Sequence, residues 1–125
     1  MTQIKIKRVY EAPDASDGYR ILVDRLWPRG MKKEQLKYDA WEKEITPSPE
    51  LRKWFHQDPA EHWEGFAAMY RKELEGSEAV RRFVDSIERY DVVTLLYASK
   101  EPEHNHAHIL QQFLKDRQKS RINKI

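Results

Sequence analysis

The sequence contains no cysteine among its 125 residues. This absence excludes disulfide bonds and thiolate chemistry, and it is typical of proteins in a reducing compartment. Long apolar runs are also missing, since no stretch approaches the ~20 apolar residues that a membrane-spanning helix needs. The charged N-terminus has no apolar stretch behind it, so it does not resemble a signal peptide. These absences predict a cytoplasmic protein that makes no contact with the membrane.

Glycine is scarce, with four residues in the chain, and the glycine-rich motifs of nucleotide chemistry are absent. There is no Walker loop, no Gly-x-Gly-x-x-Gly and no Gly-x-Ser-x-Gly. The sequence therefore lacks the usual signatures of nucleotide-binding, dinucleotide-binding and hydrolase proteins, although catalysis of another kind stays open. No cofactor is predicted.

The formal net charge of +2 comes from the C-terminus, because residues 115–125 hold five basic residues and one acidic residue. A nucleic-acid-binding protein usually carries its basic residues across a folded face. A solvated terminal segment explains this distribution better than a nucleic-acid-binding arm does. We therefore divide the chain into a single domain, residues 1–117, and a basic C-terminal tail, residues 118–125. Within the tail, we expect residues 119–125 to contribute little to the stability of the fold.

Three segments have the pattern of strands. Apolar and charged residues alternate from Ile4 onwards, and residues 20–24 form a second, mostly apolar segment. Residues 92–98 are the most apolar run of the chain and lack polar alternation, which is typical of a strand covered on both faces in a parallel sheet. We predict that this strand is central and parallel to at least one neighbour. Residues 38–45 fit a short strand and a helix equally well.

Helix start signals define the middle of the chain. Ser48 and Asp58 are each followed by proline, the order typical of an N-cap and the first helical residue, and Ser77 opens a third helix after Gly76. A last helix follows the polar loop after the apolar strand and is predicted to end near Arg117. Strands separated by helices predict a small layered α/β domain with a mainly parallel sheet flanked by helices.

The strand ends indicate where a ligand would bind. In open α/β sheets, ligands bind beyond the carboxyl ends of the strands. Residues 24–30 and 99–106 each follow a strand that we predict to be buried. If these strands are parallel, the two segments meet in one polar cleft. Antiparallel strands would place them at opposite ends of the sheet.

The first of these segments carries Arg25 and Arg29 around a turn shaped by Pro28 and Gly30. An arginine side chain offers a planar set of donors that matches a carboxylate or phosphate group. The alternative is that Asp24 and Arg29 form a structural salt bridge that holds the turn.

Three histidines surround the start of the last helix, whose apolar stripe defines an inner face. On a helical wheel His106 lies in the middle of that face, where it is either a hydrogen-bonded core residue or a site residue. His104 and His108 fall on the opposite face. They are one turn apart and could hold zinc, but no third ligand is evident, and no metal site is predicted. His56 precedes the Asp58 cap and fits a structural role better than a site role.

These residues define the predicted site. His106 is the acid–base candidate, since histidine titrates near pH ~6.5, and Asp24 or Asp17 would orient it or act as base. The remaining candidates are ligand-binding residues: Asp17, Arg25, Arg29, Lys100 and Asn105.

The chain resembles the YeaO-like family, small bacterial proteins grouped as a domain of unknown function. The similarity spans about residues 4–117, and residues 16–30 are its most specific part. The segments that carry it are residues 7–10, 16–30, 43–48, 51–56, 95–98 and 105–107. The resemblance implies a fold but no established reaction. Relatives in the wider family can carry cysteine near the position of Asn105 and His106, and thiol chemistry does not transfer to a chain without cysteine.

Three functions fit the sequence. The first is a binding site for a small anionic or phosphorylated ligand, which could also be enzymatic. The second is a nucleic-acid-binding or transcription-regulatory protein that uses the basic tail, although no helix-turn-helix with a basic recognition helix is evident. The third is a protein-interaction module.

Overall fold

A computed structural model describes residues 1–123 and has four strands and four α-helices in that range. The strands are β1 (Gln3–Arg8), β2 (Tyr19–Leu22), β3 (Ala40–Trp41) and β4 (Val92–Tyr97). The helices are α1 (Pro49–Gln57), α2 (Pro59–Glu75), α3 (Glu78–Ile87) and α4 (His106–Asn123). The prediction of a small α/β domain is confirmed. No helix within the described range is long and apolar enough to cross a membrane.

The sheet has the order β1-β4-β2-β3, and every neighbouring pair is parallel. β4 therefore lies in the centre, between β1 and β2, as its apolar run predicted. Val93 aligns with Ile4 on one side and with Tyr19 on the other. Because all strands are parallel, their carboxyl ends lie at one edge of the sheet.

The two faces of the sheet are covered differently. Val93 and Leu95 of β4 face a large core to which all four helices contribute. Leu96 faces a smaller core in which Leu36 and Trp27 come from the loop between β2 and β3. The helices thus cover one face and a loop covers the other, which explains why β4 lacks polar alternation although helices do not flank both faces.

The helix starts are those that the cap signals predicted. The Ser48 hydroxyl accepts a hydrogen bond from the Leu51 N–H at the start of α1. Asp58 and Ser77 accept equivalent bonds at the starts of α2 and α3. Residues 38–45 contain both alternatives that the sequence left open, because β3 is followed by a 3-10 turn at Lys43–Ile45.

The prediction that the last helix ends near Arg117 is wrong, since α4 continues to Asn123. Gln118 extends the inner face one turn beyond Leu114. Its buried side-chain oxygen accepts a hydrogen bond of 2.9 Å from the Thr2 N–H.

The next turn of α4 is also held to the domain. Arg121 forms ion pairs with Asp85 and Glu88, which lie on and just after α3. The division into a domain of residues 1–117 and a tail stays a prediction, and Lys124 and Ile125 of the predicted tail lie outside the described residues.

Candidate functional site

The loops after β2 and β4 meet in one cleft at the carboxyl edge of the sheet, with a volume of about 520 Å³. Residues 24–29 line one side and residues 98–100 and 104–106 line another. The predicted meeting of these segments is confirmed, and the parallel sheet is its cause. Part of α1 and the segment before it complete the wall through Thr46, Pro47 and Phe55.

Asp24 ties the carboxyl ends of three strands together. Its Oδ2 accepts a hydrogen bond of 2.9 Å from the Ala98 N–H, directly after β4. Its backbone oxygen accepts a bond of 2.6 Å from the Trp41 indole in β3. The structural salt bridge with Arg29 that the sequence offered as an alternative does not form. Asp24 therefore fixes the spacing between the two loops of the cleft.

His106 is fixed on the opposite side of this carboxylate. Its Nε2 lies 2.6 Å from the Val23 carbonyl oxygen, and a carbonyl can only accept, so Nε2 carries a proton and donates it. The Asp24 Oδ1 lies 3.1 Å from the same nitrogen but accepts no well-directed hydrogen bond, because the single Nε2 proton is aimed at Val23. The buried Oδ1 thus acts on the ring by charge. Nδ1 has no hydrogen-bond partner within residues 1–123.

Four permanent cations line the cleft: Arg25, Arg29, Arg52 and Lys100. Within the described chain, none of them lies within ion-pair distance of a carboxylate. The Arg25 Nε is buried and has no hydrogen-bond partner. Asp24 is the one carboxylate among the lining residues. The cleft therefore carries an excess of positive charge that the protein itself leaves uncompensated.

Residues at and just after the end of β1 hold both loops of the cleft in place. The Arg8 Nε donates to the Ser99 carbonyl oxygen at 2.9 Å, and the Tyr10 hydroxyl donates to the Arg29 carbonyl oxygen at 2.7 Å. The Arg8 guanidinium lies over the Tyr10 ring, 4.7 Å from its centroid. Sequence reasoning did not assign these residues to the site, although β1 was predicted. The missing information was the strand order, which places β1 beside β4.

Tyr70 of α2 holds the segment that closes the cleft. Its hydroxyl donates to the Ile45 carbonyl oxygen at 2.6 Å, next to Thr46 and Pro47 in the wall. Burial raises the pKa of Tyr70 far above its usual range, so the phenol stays protonated. It contacts His106 edge-on, with the ring centroids 6.4 Å apart.

Asp17 does not line the cleft, so its predicted role as a ligand-binding residue is not supported by its location. It lies buried between Lys7, at 2.9 Å, and Arg20. Burial alone would raise the pKa of Asp17, but hydrogen bonds from Lys7, the Asp14 backbone and Arg20 together lower it. Asp17 is a structural carboxylate. From the sequence alone, Asp17 could not be distinguished from an exposed aspartate in the same polar loop.

Asn105 lines the cleft, but its side chain is committed to α4. Its Oδ1 accepts from the His108 N–H at 2.9 Å, and its Nδ2 donates to the Glu101 carbonyl oxygen at 2.7 Å. These bonds make Asn105 the N-cap of the helix and fix the loop before it. Asn105 thus positions His106, and the second N–H of its Nδ2 is the side-chain donor left for a ligand.

Three further residues reach the cleft that the sequence analysis placed elsewhere or did not consider. Arg52 and His56 lie one turn apart on α1, next to the inward-facing Phe55. This spacing was the signal in the sequence that could have placed both side chains on one face of the helix, near the core. His104 precedes α4 and stacks on Trp63 at 4.6 Å, so the helical wheel that separated it from His106 does not apply. Within residues 1–123, no three histidine or acidic side chains are placed to hold a metal ion.

These features define a class: a small two-layer α/β protein with a cationic cleft at the carboxyl edge of a parallel sheet. The chain belongs to the family described as "Inactive DUF488-N3 subclade", whose model matches residues 3–124. It is 47% identical over 112 residues to the "Uncharacterized protein YeaO" of Escherichia coli, covering 90% of this chain and 96% of that protein. It is 40% identical over 116 residues to the "Uncharacterized protein Rv3073c" of Mycobacterium tuberculosis, covering 93% and 97%. No solved structure matches the chain at a significant level.

Proposed function

We propose that the cleft binds a small anion that carries a phosphate group. The observation that carries this proposal is the set of four cationic side chains, Arg25, Arg29, Arg52 and Lys100, that line a cavity with Asp24 as its one carboxylate. Like charges in a concave, partly desolvated space repel one another, and a bound anion relieves that repulsion. A phosphate offers enough acceptor oxygens for several guanidinium groups at once.

The start of α4 adds to this preference for anions. His106 is the first residue of an 18-residue helix, whose N-terminus carries a partial positive charge and backbone N–H groups without intrahelical partners. Asn105 caps the His108 N–H, so part of this donor set is already used. Glu101 and Glu103 in the preceding loop oppose an anion, but neither lines the cavity. The balance of charge within the cleft stays positive.

His106 and Asp24 act in this proposal as a binding pair without acid–base chemistry. The imidazole is anchored through Nε2, and its Nδ1 is the nitrogen left to contact a ligand. Asp24 is held by Ala98 and keeps the ring oriented. The word "inactive" in the family's description agrees with binding without turnover. A catalytic role for the pair predicts hydrolysis of a phosphate monoester such as p-nitrophenyl phosphate, and we expect none above the rate in buffer.

Isothermal titration calorimetry with inorganic phosphate tests the proposal. We expect one binding site, and Arg25→Ala and Arg52→Ala to lower the affinity by about tenfold or more, because a hydrogen bond to a charged group contributes about 1.5–3 kcal/mol. Arg82→Ala is the matched control, since Arg82 is an exposed arginine of α3 outside the cleft. Absence of binding, or equal losses in all three variants, would contradict the proposal.

A further inference from the structure

The cleft offers more than an anion site. Its volume of about 520 Å³ falls within the ~300–1,000 Å³ typical of pockets for complete small molecules. Leu26 and Trp27 lie between Arg25 and Arg29 in the same loop, and both line the cavity. Leu26 is 67% exposed and Tyr10, which also lines the cavity, is 45% exposed. Apolar surface thus lies directly beside the cationic groups.

The two aromatic rings of this surface are held in a fixed orientation. The Trp27 indole N–H donates to the Met31 carbonyl oxygen, and its ring packs edge-on against Tyr38 and Trp41 at 5.8 and 5.6 Å. The Tyr10 ring is fixed through its hydroxyl and by Arg8 above it. Rings that are already immobilised lose little entropy when a ligand packs against them.

We infer that the ligand is a phosphate monoester carried on a flat apolar group. The inference rests on the proposed function and adds a second recognition element to it. The cationic side chains contact the phosphate, and the apolar group packs against Leu26 and Trp27.

Calorimetry with two phosphate monoesters that differ in the apolar group tests this inference. Phenyl phosphate should bind about tenfold or more tightly than methyl phosphate, because burial of a ring removes far more apolar area from water than burial of a methyl group. Leu26→Ala should weaken phenyl phosphate by about threefold or more and leave methyl phosphate unchanged. Leu26 is exposed, so this variant retains the fold. Met69→Ala, an exposed apolar residue of α2 outside the cleft, is the control.

The outcomes separate the two proposals. If methyl phosphate and inorganic phosphate bind in an Arg25-dependent manner but phenyl phosphate binds no tighter, the apolar element is refuted and the anion site stands. Tighter binding of phenyl phosphate that Leu26→Ala does not change also refutes the inference, since the ring then packs elsewhere. If none of the three compounds binds, the proposed function itself fails.

Discussion

Asp17 is a buried carboxylate whose every partner belongs to the fold. Lys7 of β1 and Arg20 of β2 bind its two oxygens, and Arg20 also donates to the Lys37 carbonyl oxygen at 2.6 Å. The Thr94 hydroxyl of β4 donates to the Asp17 carbonyl oxygen. One residue thus connects β1, β2 and β4.

Substitution Asp17→Asn should destabilise the protein by about 3 kcal/mol at pH 7, because it leaves the buried Arg20 and the partly buried Lys7 without their counterion. The pKa of Asp17 is lowered by folding, so the carboxylate stabilises the folded state above its unfolded pKa. This contribution is lost as the pH falls through the folded pKa, and the gap between wild type and variant should narrow in acid. Urea denaturation between pH 7 and about pH 3 measures both effects.

The control for this experiment is Asp116→Asn, which removes an exposed ion pair with Arg71. We expect it to cost no more than about 1 kcal/mol at any pH. If both variants lose a similar free energy of unfolding, the burial of Asp17 does not strengthen its ion pairs with Lys7 and Arg20.

The comparison of Asp17 with Asp24 shows why the sequence could not separate structural from site carboxylates. In the sequence, both are acidic residues in or next to a polar loop that borders the apolar segment of residues 20–24. Their roles depend on which strands are neighbours: Lys7 reaches Asp17, and Ala98 reaches Asp24, across the sheet. By contrast, the placement of His106 beside the end of β4 followed from the local wheel of α4, and it could be predicted.

At the scale of elements, the helix starts and the central strand were predictable because their signals are local. Ser48, Asp58 and Ser77 each act on N–H groups within three residues. The end of α4 was not predictable in this way. Gln118 is polar and interrupts the apolar stripe, and its reason for being buried is the Thr2 N–H at the other end of the chain.

Gln118→Ala should therefore destabilise the protein more than the loss of a charged residue, Arg121, from the next turn of α4. The variant leaves the buried Thr2 N–H unpaired, which costs about 1–3 kcal/mol. Arg121→Ala removes only partly exposed ion pairs with Asp85 and Glu88 and should cost about 1 kcal/mol or less. Deletion of residues 119–125 keeps Gln118 and should lower the melting temperature by only a few degrees. Thermal and urea unfolding of the three variants provide the ranking, and a larger loss for Arg121→Ala than for Gln118→Ala would reverse our assignment.

At the scale of the whole molecule, the parallel sheet determines where the charges gather. The carboxyl ends of β1, β2 and β4 share one edge, and the loops after them bring Arg25, Arg29 and Lys100 into one cavity. This much followed from the sequence once the strands were taken as parallel. The contribution of Arg52 did not, because it depends on how α1 packs against that edge.

The same distribution of charge separates small-anion binding from nucleic-acid binding. The cationic groups of the cleft lie within a cavity, whereas the backbone of a duplex needs cations on an open face. Near the C-terminus, Arg121 is already paired with two carboxylates, and Arg117 lies over the Phe113 ring at 5.0 Å. Arg121 is thus compensated by acidic side chains, and Lys115, Arg117 and Lys119 are the described cations of α4 that remain for a duplex.

We therefore expect only weak, tail-dependent binding to duplex DNA. Fluorescence anisotropy with a labelled duplex should give a dissociation constant no tighter than the ~10⁻⁴–10⁻⁶ M typical of non-specific binding, and the affinity should fall steeply with salt because each phosphate contact releases counterions. Deletion of residues 119–125 should abolish it, while Arg25→Ala should leave it unchanged. Binding of inorganic phosphate should show the reverse pattern: it should be lost in Arg25→Ala and retained after the deletion. This result would assign phosphate binding and DNA binding to different surfaces. Tight, sequence-specific binding by a chain that lacks residues 119–125 would instead make the regulatory function the better explanation of this fold.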